Sequence, residues 1–498
     1  MIILFNPQSA PPGKTYLPLS LLALGAFLEE RYPYEIIDGN LEADPVSRII
    51  ERVGQTGAKV LGVTVMPGPQ LKQAVEVCRK IRQILPKLII VWGGYFPTEH
   101  PDVCLKSAYV DYVVKSQGEQ TFIELLELLL RPDGERPGSV ELAKVAGLAF
   151  RRGDLIQHSR DRALISPQKL PAMPYHRVAM ERYLIETAIG QRTLPHNSSY
   201  GCPFLCNFCA VVKMVDGAWL AQTGEQTAAS VRDLHDRYGA DSIIFVDNNF
   251  FTSEKRVRRY AEALLKAGPV LPWWGEGRVD TLLKYKPETW ELMKRAGCDM
   301  IFMGAESGSD ETLAQMNKGG MASTAGTLEI AALTKRYGIV PEFSFIMGNP
   351  PNPDADIKST ISFIKKIKTI NPATEIILYL YSPEPVEGDM LEAAQAGGFH
   401  FPTSLEQWVG EEWGDFAHRH DPHTPWLLPR HRRHVTDFGQ VLNARFPTTT
   451  NPRLTGWRGK VVKTAASWRY RSGFYRWPYE LALLDKVLAY QRQDTRAC

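Results

Sequence analysis

Cys202, Cys206 and Cys209, in the string GCPFLCNFCAV, carry the clearest chemistry in this 498-residue chain. Three thiolates at C-x3-C-x2-C spacing can hold three irons of a 4Fe-4S cluster and leave the fourth iron open. Clusters that only carry electrons usually take four protein ligands, so the loop implies a second molecule at the unique iron. A zinc site would complete its four ligands with a second Cys/His pair at recognisable spacing. None follows here, and the nearest downstream histidine is His235. Buried structural cysteines, the other ordinary reading, need no such spacing.

Composition is that of a large globular enzyme. Hydrophobic residues make up 44% and charged residues 23%, ordinary globular proportions, and the length suits two or three domains. A net charge of +3 is too small to argue for nucleic acid. Met1 to Phe5 is a short apolar run stopped by Asn6-Pro7, with no basic region before it, so no signal peptide is expected. No apolar stretch has the length of a membrane span. Seven cysteines, three of them committed to the loop, make no disulfide framework, and a reducing cytoplasm is the expected location.

The first third predicts an open parallel α/β domain. Ile2–Phe5, Glu35–Ile37, Val60–Val65, Leu88–Trp92 and Tyr112–Val114 read as strands, with helical patterns at Leu19–Tyr32, Asp44–Val53 and Leu71–Leu85 between them. Such alternation predicts a parallel sheet covered on both faces, which binds ligands at the carboxyl ends of its strands. The loops there are Asn6–Pro18, Met66–Pro69, Gly93–Thr98 and Ser116–Glu119. Glycine in such a loop lets the backbone approach a bulky ligand.

A turn-rich connector, with Arg131-Pro132-Asp133-Gly134 and then Pro167 to Pro174, precedes a second series of strand signals. These fall at Leu194–Ser199, Ser242–Val246, Pro272–Glu276, Met300–Met303, Val340–Ile346 and Glu375–Tyr381. Helical patterns lie between them, at Glu225–Tyr238, Glu254–Ala267, Pro287–Ala296 and Ala322–Tyr337. Six such units predict a partial (β/α)6 barrel whose βα loops build the active site. The expected boundaries are 1–140 for the Rossmann-like domain, 141–185 for a linker, 186–390 for the barrel and 391–498 for a mainly helical C-terminal domain.

The cysteine spacing, with Phe208 just before the last cysteine, resembles the radical S-adenosylmethionine (SAM) enzymes. In that family SAM chelates the open iron, and one electron splits it into methionine and a hydrogen-abstracting 5'-deoxyadenosyl radical. Four further segments carry the resemblance. Phe245-Val246-Asp247-Asn248-Asn249-Phe250 sits where the family places a polar loop near the SAM amino group, so Asp247 and Asn248 are candidates to orient it. Trp274-Gly275-Glu276-Gly277-Arg278-Val279-Asp280 resembles a W...RvD strand, in which Arg278 would pair with the SAM carboxylate through a two-pronged contact. Its ordinary alternative is an ion pair with Asp280 or Glu276 on the barrel surface. Gly304-Ala305-Glu306-Ser307-Gly308-Ser309 matches the GxESGS turn, with Glu306 or Ser307 on the ribose hydroxyls. Phe345-Ile346-Met347-Gly348-Asn349-Pro350 matches the element beside the adenine and makes Met347 a candidate contact. A Gly-x-Pro-x-Glu common in relatives is Asn-Pro-Pro here.

Residues 1 to about 135 resemble the cobalamin-binding domain that precedes the barrel in one subgroup of that family, and with the later motifs the likeness extends to about residue 400. Gly93-Gly94 followed by Pro97-Thr98, then Val110 to Val114 and Gly118-Glu119, carry it. The implied cobalamin contacts are Met66, Gly68, Gly93, Gly94, Tyr95, Gln117, Gly118 and Glu119. One departure stands out. Cobalamin domains that place a histidine under the metal carry Asp-x-His-x-x-Gly after the first strand, whereas this chain has no histidine before His100. Water, a weak side chain or an apolar wall would then meet the lower face, which suits a methyl-passing cobalamin because axial ligation tunes the metal. A scaffold that kept the fold without the cofactor is the alternative.

The last hundred residues hold Trp408, Trp413 and the histidines His418, His420, His423, His431 and His434, interleaved with arginines at no standard zinc spacing. From Phe438 to Tyr479 there is no Asp or Glu, while eight Lys or Arg residues are scattered among aromatic ones, Trp457, Trp468, Tyr470, Phe474, Tyr475 and Trp477. The preferred reading is a cationic flank whose aromatics pack against the barrel. Peripheral contact with anionic lipid comes second.

The resemblance implies 4Fe-4S, SAM and cobalamin as cofactors, a small-molecule substrate and an electron donor such as flavodoxin or ferredoxin. Its expected reaction is methylation of an unactivated carbon, which has no lone pair with which to attack SAM. Oxidative cyclisation or hydroxylation of the tetrapyrrole-cyclase kind is the alternative, as is radical rearrangement with a non-binding N-terminal domain.

Overall fold

The computed structural model describes residues 1–10, 15–318, 322–414, 424–447 and 456–488. Its contacts divide the chain into two units. One comprises Met1–Ile185 with Lys213–Ala221 and Phe401–Ala417; the other comprises Glu186–Val212, Gln222–His400 and His418–Cys498.

The first unit is built on a seven-stranded sheet. Strands β1 (Ile2–Asn6), β2 (Tyr34–Asp38), β3 (Val60–Thr64), β4 (Ile89–Gly93) and β5 (Tyr112–Val114) run parallel in the order β2-β1-β3-β4-β5. Every residue of β1 and β3 is buried, as expected of parallel strands covered on both faces. The intervening helices are α1 (Leu19–Leu28), α2 (Pro45–Thr56) and α3 (Pro69–Ile84), with α4 (Glu119–Leu129) after β5. One departure from the sequence expectation lies in the segment read as a linker. β6 (Leu148–Arg152) and β7 (Leu155–His158) form a hairpin that extends the sheet antiparallel from β5. Its signal is short, because only Leu148, Ala149 and Phe150 are buried in β6.

The second unit holds six parallel strands in chain order, β8 (Thr193–His196), β9 (Ser242–Phe245), β10 (Trp273–Gly277), β11 (Cys298–Glu306), β12 (Val340–Met347) and β13 (Glu375–Leu380). Helices α5 (Gly224–Tyr238), α6 (Glu254–Ala267), α7 (Pro287–Arg295), α8 (Thr324–Tyr337) and α9 (Pro353–Ile370) cover them. Local chemistry starts these helices: Thr223 and Gln226 form a capping box on α5, and Asn352 caps α9. Strand alternation then sorts the faces. Trp273 is fully buried among Phe245, Phe250, Phe251 and Tyr260, with ring centroids 5.4–6.0 Å away, whereas Trp274 and Glu276 take the other face. Beyond the barrel come α10 (Pro429–Arg445), α11 (Gly456–Ser472) and α12 (Tyr479–Leu488). His418, His420 and His423 lie outside the described residues. His431 is buried on α10 beside Asp354.

The expected boundary at 391 does not match the packing. Trp408 belongs to the first unit, where its ring lies 5.2 Å from Phe96 and 4.8 Å from His100.

Candidate active site

The cysteine loop leaves β8 through Asn197, Ser198 and Ser199. Asp247, just beyond β9, locks this exit: its carboxylate accepts from the Ser198 N–H at 3.0 Å, from the Ser198 hydroxyl at 2.7 Å and from the Ser199 hydroxyl. It is fully buried. The side chain proposed to meet the SAM amino group is thus an anchor for the loop, while the neighbouring Asn248 is exposed. Asn249, which the sequence reading passed over, is buried and places its amide 3.8 Å from the Cys202 sulfur.

Cys206 is buried, with Cys202 and Cys209 partly exposed beside it. Burial raises the Cys206 thiol, and Arg278 and Lys318 pull it back. Arg278 donates to the Cys206 sulfur at 3.2 Å, stacks 3.8 Å above the Phe204 ring and grips Asp280 with two bonds of 2.9 and 2.8 Å. The two-pronged contact expected for a SAM carboxylate is therefore made with Asp280. The pair is buried rather than on the barrel surface.

Lys318 is the main residue that sequence reasoning missed. Its carbonyl accepts from Arg278 at 2.5 Å, and its ammonium reaches Glu306 and the Gly304 carbonyl, each at 2.5 Å. Ser344 donates to the other Glu306 oxygen at 3.3 Å. Glu306 holds a left-handed backbone, φ +62°, a costly state for a non-glycine residue that this pairing helps retain. The turn before Lys318 also clamps the cysteine loop: Asn207 donates to the Gln315 carbonyl at 2.7 Å and Asn317 to that of Leu205 at 3.0 Å. Its only sequence signal was a Met-Asn-Lys-Gly string.

Ser307 is turned toward Asp356, 3.4 Å away. Asp356 also accepts from the backbone of Gly348 and Asn349, at 2.7 and 3.2 Å, which fixes the loop after β12. Met347 is buried at the end of β12, at the same strand parity as Phe343 and Phe345, and its carbonyl accepts from the Tyr381 N–H at 2.9 Å. Its side chain takes the strand face that packs toward α9, where Phe345 meets Phe363.

Glu276 faces the barrel interior. Burial first, then the charges of Asp247 and Glu342, push its carboxyl up to about 8. The folded state then holds a proton that the unfolded chain releases at ordinary carboxylate pH. Its contribution to stability is complete at acid pH and is lost as pH rises toward 8. Glu276→Gln is expected to flatten the fall of the melting temperature between about pH 5 and pH 8; parallel curves for the two proteins would remove Glu276 as its source.

The donor set suits an iron-sulfur cluster. Three thiols lie on one loop, two cationic side chains stand against the buried one, and metal binding would displace the thiol protons. Among the described residues no three His, Cys, Asp or Glu side chains gather around a point that a single ion would occupy. A cluster spreads its cysteines, because each iron takes one thiolate. Room for a polar ligand is also indicated: Asn197 Oδ1, Asn249 Oδ1 and Trp274 Nε1 are buried without hydrogen-bond partners at or beyond β8, β9 and β10.

In the first unit the described parts of the expected loops follow β1, β3, β4 and β5 at the carboxyl edge of the sheet. A buried network tightens it: Asn6 donates to Asp38 at 2.9 Å, Gln70 to Asn6 at 2.9 Å and Tyr183 to Asp38 at 2.7 Å. Gly68 at φ +85°, Gly94 at φ +99° and Ser116 at φ +57° make left-handed turns there. Gly93 accepts from the Val65 N–H at 2.9 Å, Tyr95 is half-buried, and Met66 beside Gly68 is 43% exposed. An exposed apolar side chain among glycine turns fits a broad, flat ligand such as a corrin.

One of the expected contacts is already engaged by the chain. The Gln117 amide accepts from the Ile165 N–H at 2.5 Å and donates to its carbonyl at 3.3 Å, and Glu119 is buried in the first turn of α4. Gly118 precedes it with Val114 tight against its backbone. His100 is enclosed by Phe96, Phe401 and Trp408, and burial lowers it to about 3. It therefore stays neutral within that aromatic cluster. A Cβ at Gly94 would meet Thr64 Oγ1 and the Val65 backbone at 3.1–3.2 Å. Gly94, at φ +99° and ψ −163°, holds a backbone state nearly restricted to glycine, so Gly94→Ala is expected to cost roughly 1–3 kcal/mol and to reduce cobalamin retention. An unchanged urea midpoint would contradict this.

Comparison with known proteins agrees with both halves. Residues 10–126 match the B12 binding domain model and residues 196–364 the Radical SAM superfamily model. An uncharacterized methyltransferase of Pyrococcus horikoshii is 27% identical over 71% of this chain and 74% of its own. The anaerobic magnesium-protoporphyrin IX monomethyl ester cyclase of Synechocystis sp. is 25% identical over 76% of this chain and 74% of its own. The radical SAM methyltransferase TsrM of Kitasatospora setae, solved with cobalamin and a [4Fe-4S] cluster bound, shares the fold at a TM-score of 0.66 and 15% identity, covering 99% of this chain and 98% of that one.

Proposed function

Because this chain belongs to the radical SAM superfamily and carries a B12-binding domain ahead of the radical SAM domain, we propose that it is a methyltransferase acting on an unactivated carbon of a small-molecule substrate. The single observation that carries the reading is the pairing of the two domains in one chain. When bound, the cluster and SAM supply hydrogen abstraction, and cobalamin supplies methyl transfer. The residues then divide the remaining work. Cys202, Cys206 and Cys209 hold the cluster. Asp247 and the 315–318 turn fix their loop, and Arg278 keeps a positive charge on the Cys206 sulfur while Asp280 holds the guanidinium in plane. Asn197, Asn249 and Trp274 offer the unpartnered polar atoms that SAM would meet. Met66, Gly68, Gly93, Gly94 and Tyr95 receive cobalamin.

An electron donor such as flavodoxin or ferredoxin supplies the reducing electron, and the basic C-terminal segment is the part of the chain suited to a membrane surface. Among the described residues no helix is long and apolar enough to cross a membrane.

Likeness to the cyclase relative favours oxidative cyclisation as the second reading. Anaerobic reconstitution with iron, sulfide and hydroxocobalamin, followed by reduction with SAM and candidate acceptors, separates the two. Methyl transfer leaves S-adenosylhomocysteine beside 5'-deoxyadenosine and a product one methyl heavier. Deoxyadenosine with no S-adenosylhomocysteine and no added methyl in the product would move the assignment to the cyclase reading.

A further inference from the structure

The C-terminal helices carry apolar faces that nothing in the described structure covers. On α11, Val462, Ala466, Arg469 and Tyr470 are buried where this helix packs against α10. Trp457, Val461, Thr464 and Trp468 follow i, i+4, i+7 and i+11, so they share a face opposite the packed one. All four are exposed, with Trp457 at 68% and Trp468 at 52%. The same helix carries Arg458, Lys460, Lys463, Arg469 and Arg471 and no acid. On α12 the pattern repeats: Leu481 is buried, and Tyr479, Leu483 and Val487 form an exposed i, i+4, i+8 stripe. The connecting turn is fixed by Arg469, which pairs with Glu480 and donates to the carbonyls of Arg476 and Trp477 at 2.8 and 3.1 Å. It presents Phe474 and Trp477 at the surface.

This corrects the preferred sequence reading. Tyr470 and Tyr475 do pack inward, whereas Trp457, Trp468, Phe474 and Trp477 do not.

We propose that α11, α12 and their turn form a docking surface for an anionic phospholipid bilayer. Indoles and aliphatic side chains alternating with Lys and Arg match the boundary between headgroups and acyl chains. The other occupants fit less well. A second copy would bring a like-charged face against this one. A nucleic acid backbone would pair with the cations but leave Val461, Leu483 and Val487 against a polyanion.

The test is co-sedimentation of the full-length protein with vesicles of phosphatidylglycerol mixed with phosphatidylcholine, against vesicles of phosphatidylcholine alone. Binding is expected only to the anionic vesicles and is expected to weaken with salt. Lys460→Gln with Arg471→Gln should weaken it roughly thirtyfold, the equivalent of two interfacial cations. Trp457→Ser with Trp468→Ser should weaken it at unchanged charge. These positions are exposed, and an unchanged circular dichroism spectrum confirms folding. Failure to pellet, equal pelleting with both vesicles, insensitivity to either double variant, or Trp-dependent self-association or RNA binding without lipid binding would each overturn the proposal.

Discussion

Cys206→Ala is expected to abolish both the iron-sulfur absorbance of the reconstituted protein and its cleavage of SAM, while leaving the fold in place. Two thiolates cannot hold three irons, and the family chemistry needs exactly one iron left open. The effect should therefore be all or none, unlike the graded loss expected from changing a residue that only hydrogen-bonds a ligand. Burial and the neighbouring Arg278 make Cys206 the most enclosed of the three sulfurs, so solvent thiols are poorly placed to substitute for it. The cost to the apoprotein is modest, because the substitution removes one sulfur whose polar partner, Arg278, keeps Asp280 and the Lys318 carbonyl. Iron retained at the wild-type ratio after Cys206→Ala, with the characteristic absorbance, would defeat the central assignment. Loss of the circular dichroism signal would instead assign Cys206 a structural role.

Lys318→Met is expected to destabilise the barrel by roughly 3–5 kcal/mol. It leaves Glu306 buried without its cation and also releases the Gly304 carbonyl. The side chains of the pair are only 5% and 9% exposed, so solvent cannot replace the ammonium. Adding Glu306→Gln to the Lys318→Met variant removes the orphaned charge and should recover more than half of the loss. Urea denaturation of the four proteins supplies the cycle; additive effects would show that Lys318 and Glu306 do not act as a pair. The consequence reaches the cysteine loop, since the same residue accepts from Arg278 and the turn before it clamps Leu205 and Asn207. The double variant is expected to fold yet load iron less completely than wild type. Equal iron loading would confine the clamp to the backbone and to Asn207 and Asn317.

Local patterns account for what was legible in the chain. The C-x3-C-x2-C loop needs only spacing, because its three ligands lie within eight residues. Strand and helix positions followed from runs of buried residues and from their period, and the order of the six barrel strands follows from alternation with helices. The hairpin of β6 and β7 escaped because its strands are short and its outer strand is largely exposed. The tryptophans of α11 were misread for a related reason: a helix that is apolar on two opposite sides looks, in sequence, like one that is simply buried.

Tertiary structure alone decided which partners within the chain these polar groups hold. Asp247, Arg278, Gln117 and Ser307 were all read as ligand contacts from their motifs. In the fold their hydrogen-bonding groups are engaged by Ser198 and Ser199, Asp280 and Cys206, Ile165, and Asp356. Several of those partners lie far away in the chain: 49 residues separate Ser198 from Asp247 and 72 separate Cys206 from Arg278. Lys318 became central in the same way, through contacts that no spacing announces. A motif specifies residue type at a position, whereas a buried polar group must satisfy its hydrogen bonds with whatever the fold brings within reach, and that pairing is set by three-dimensional packing.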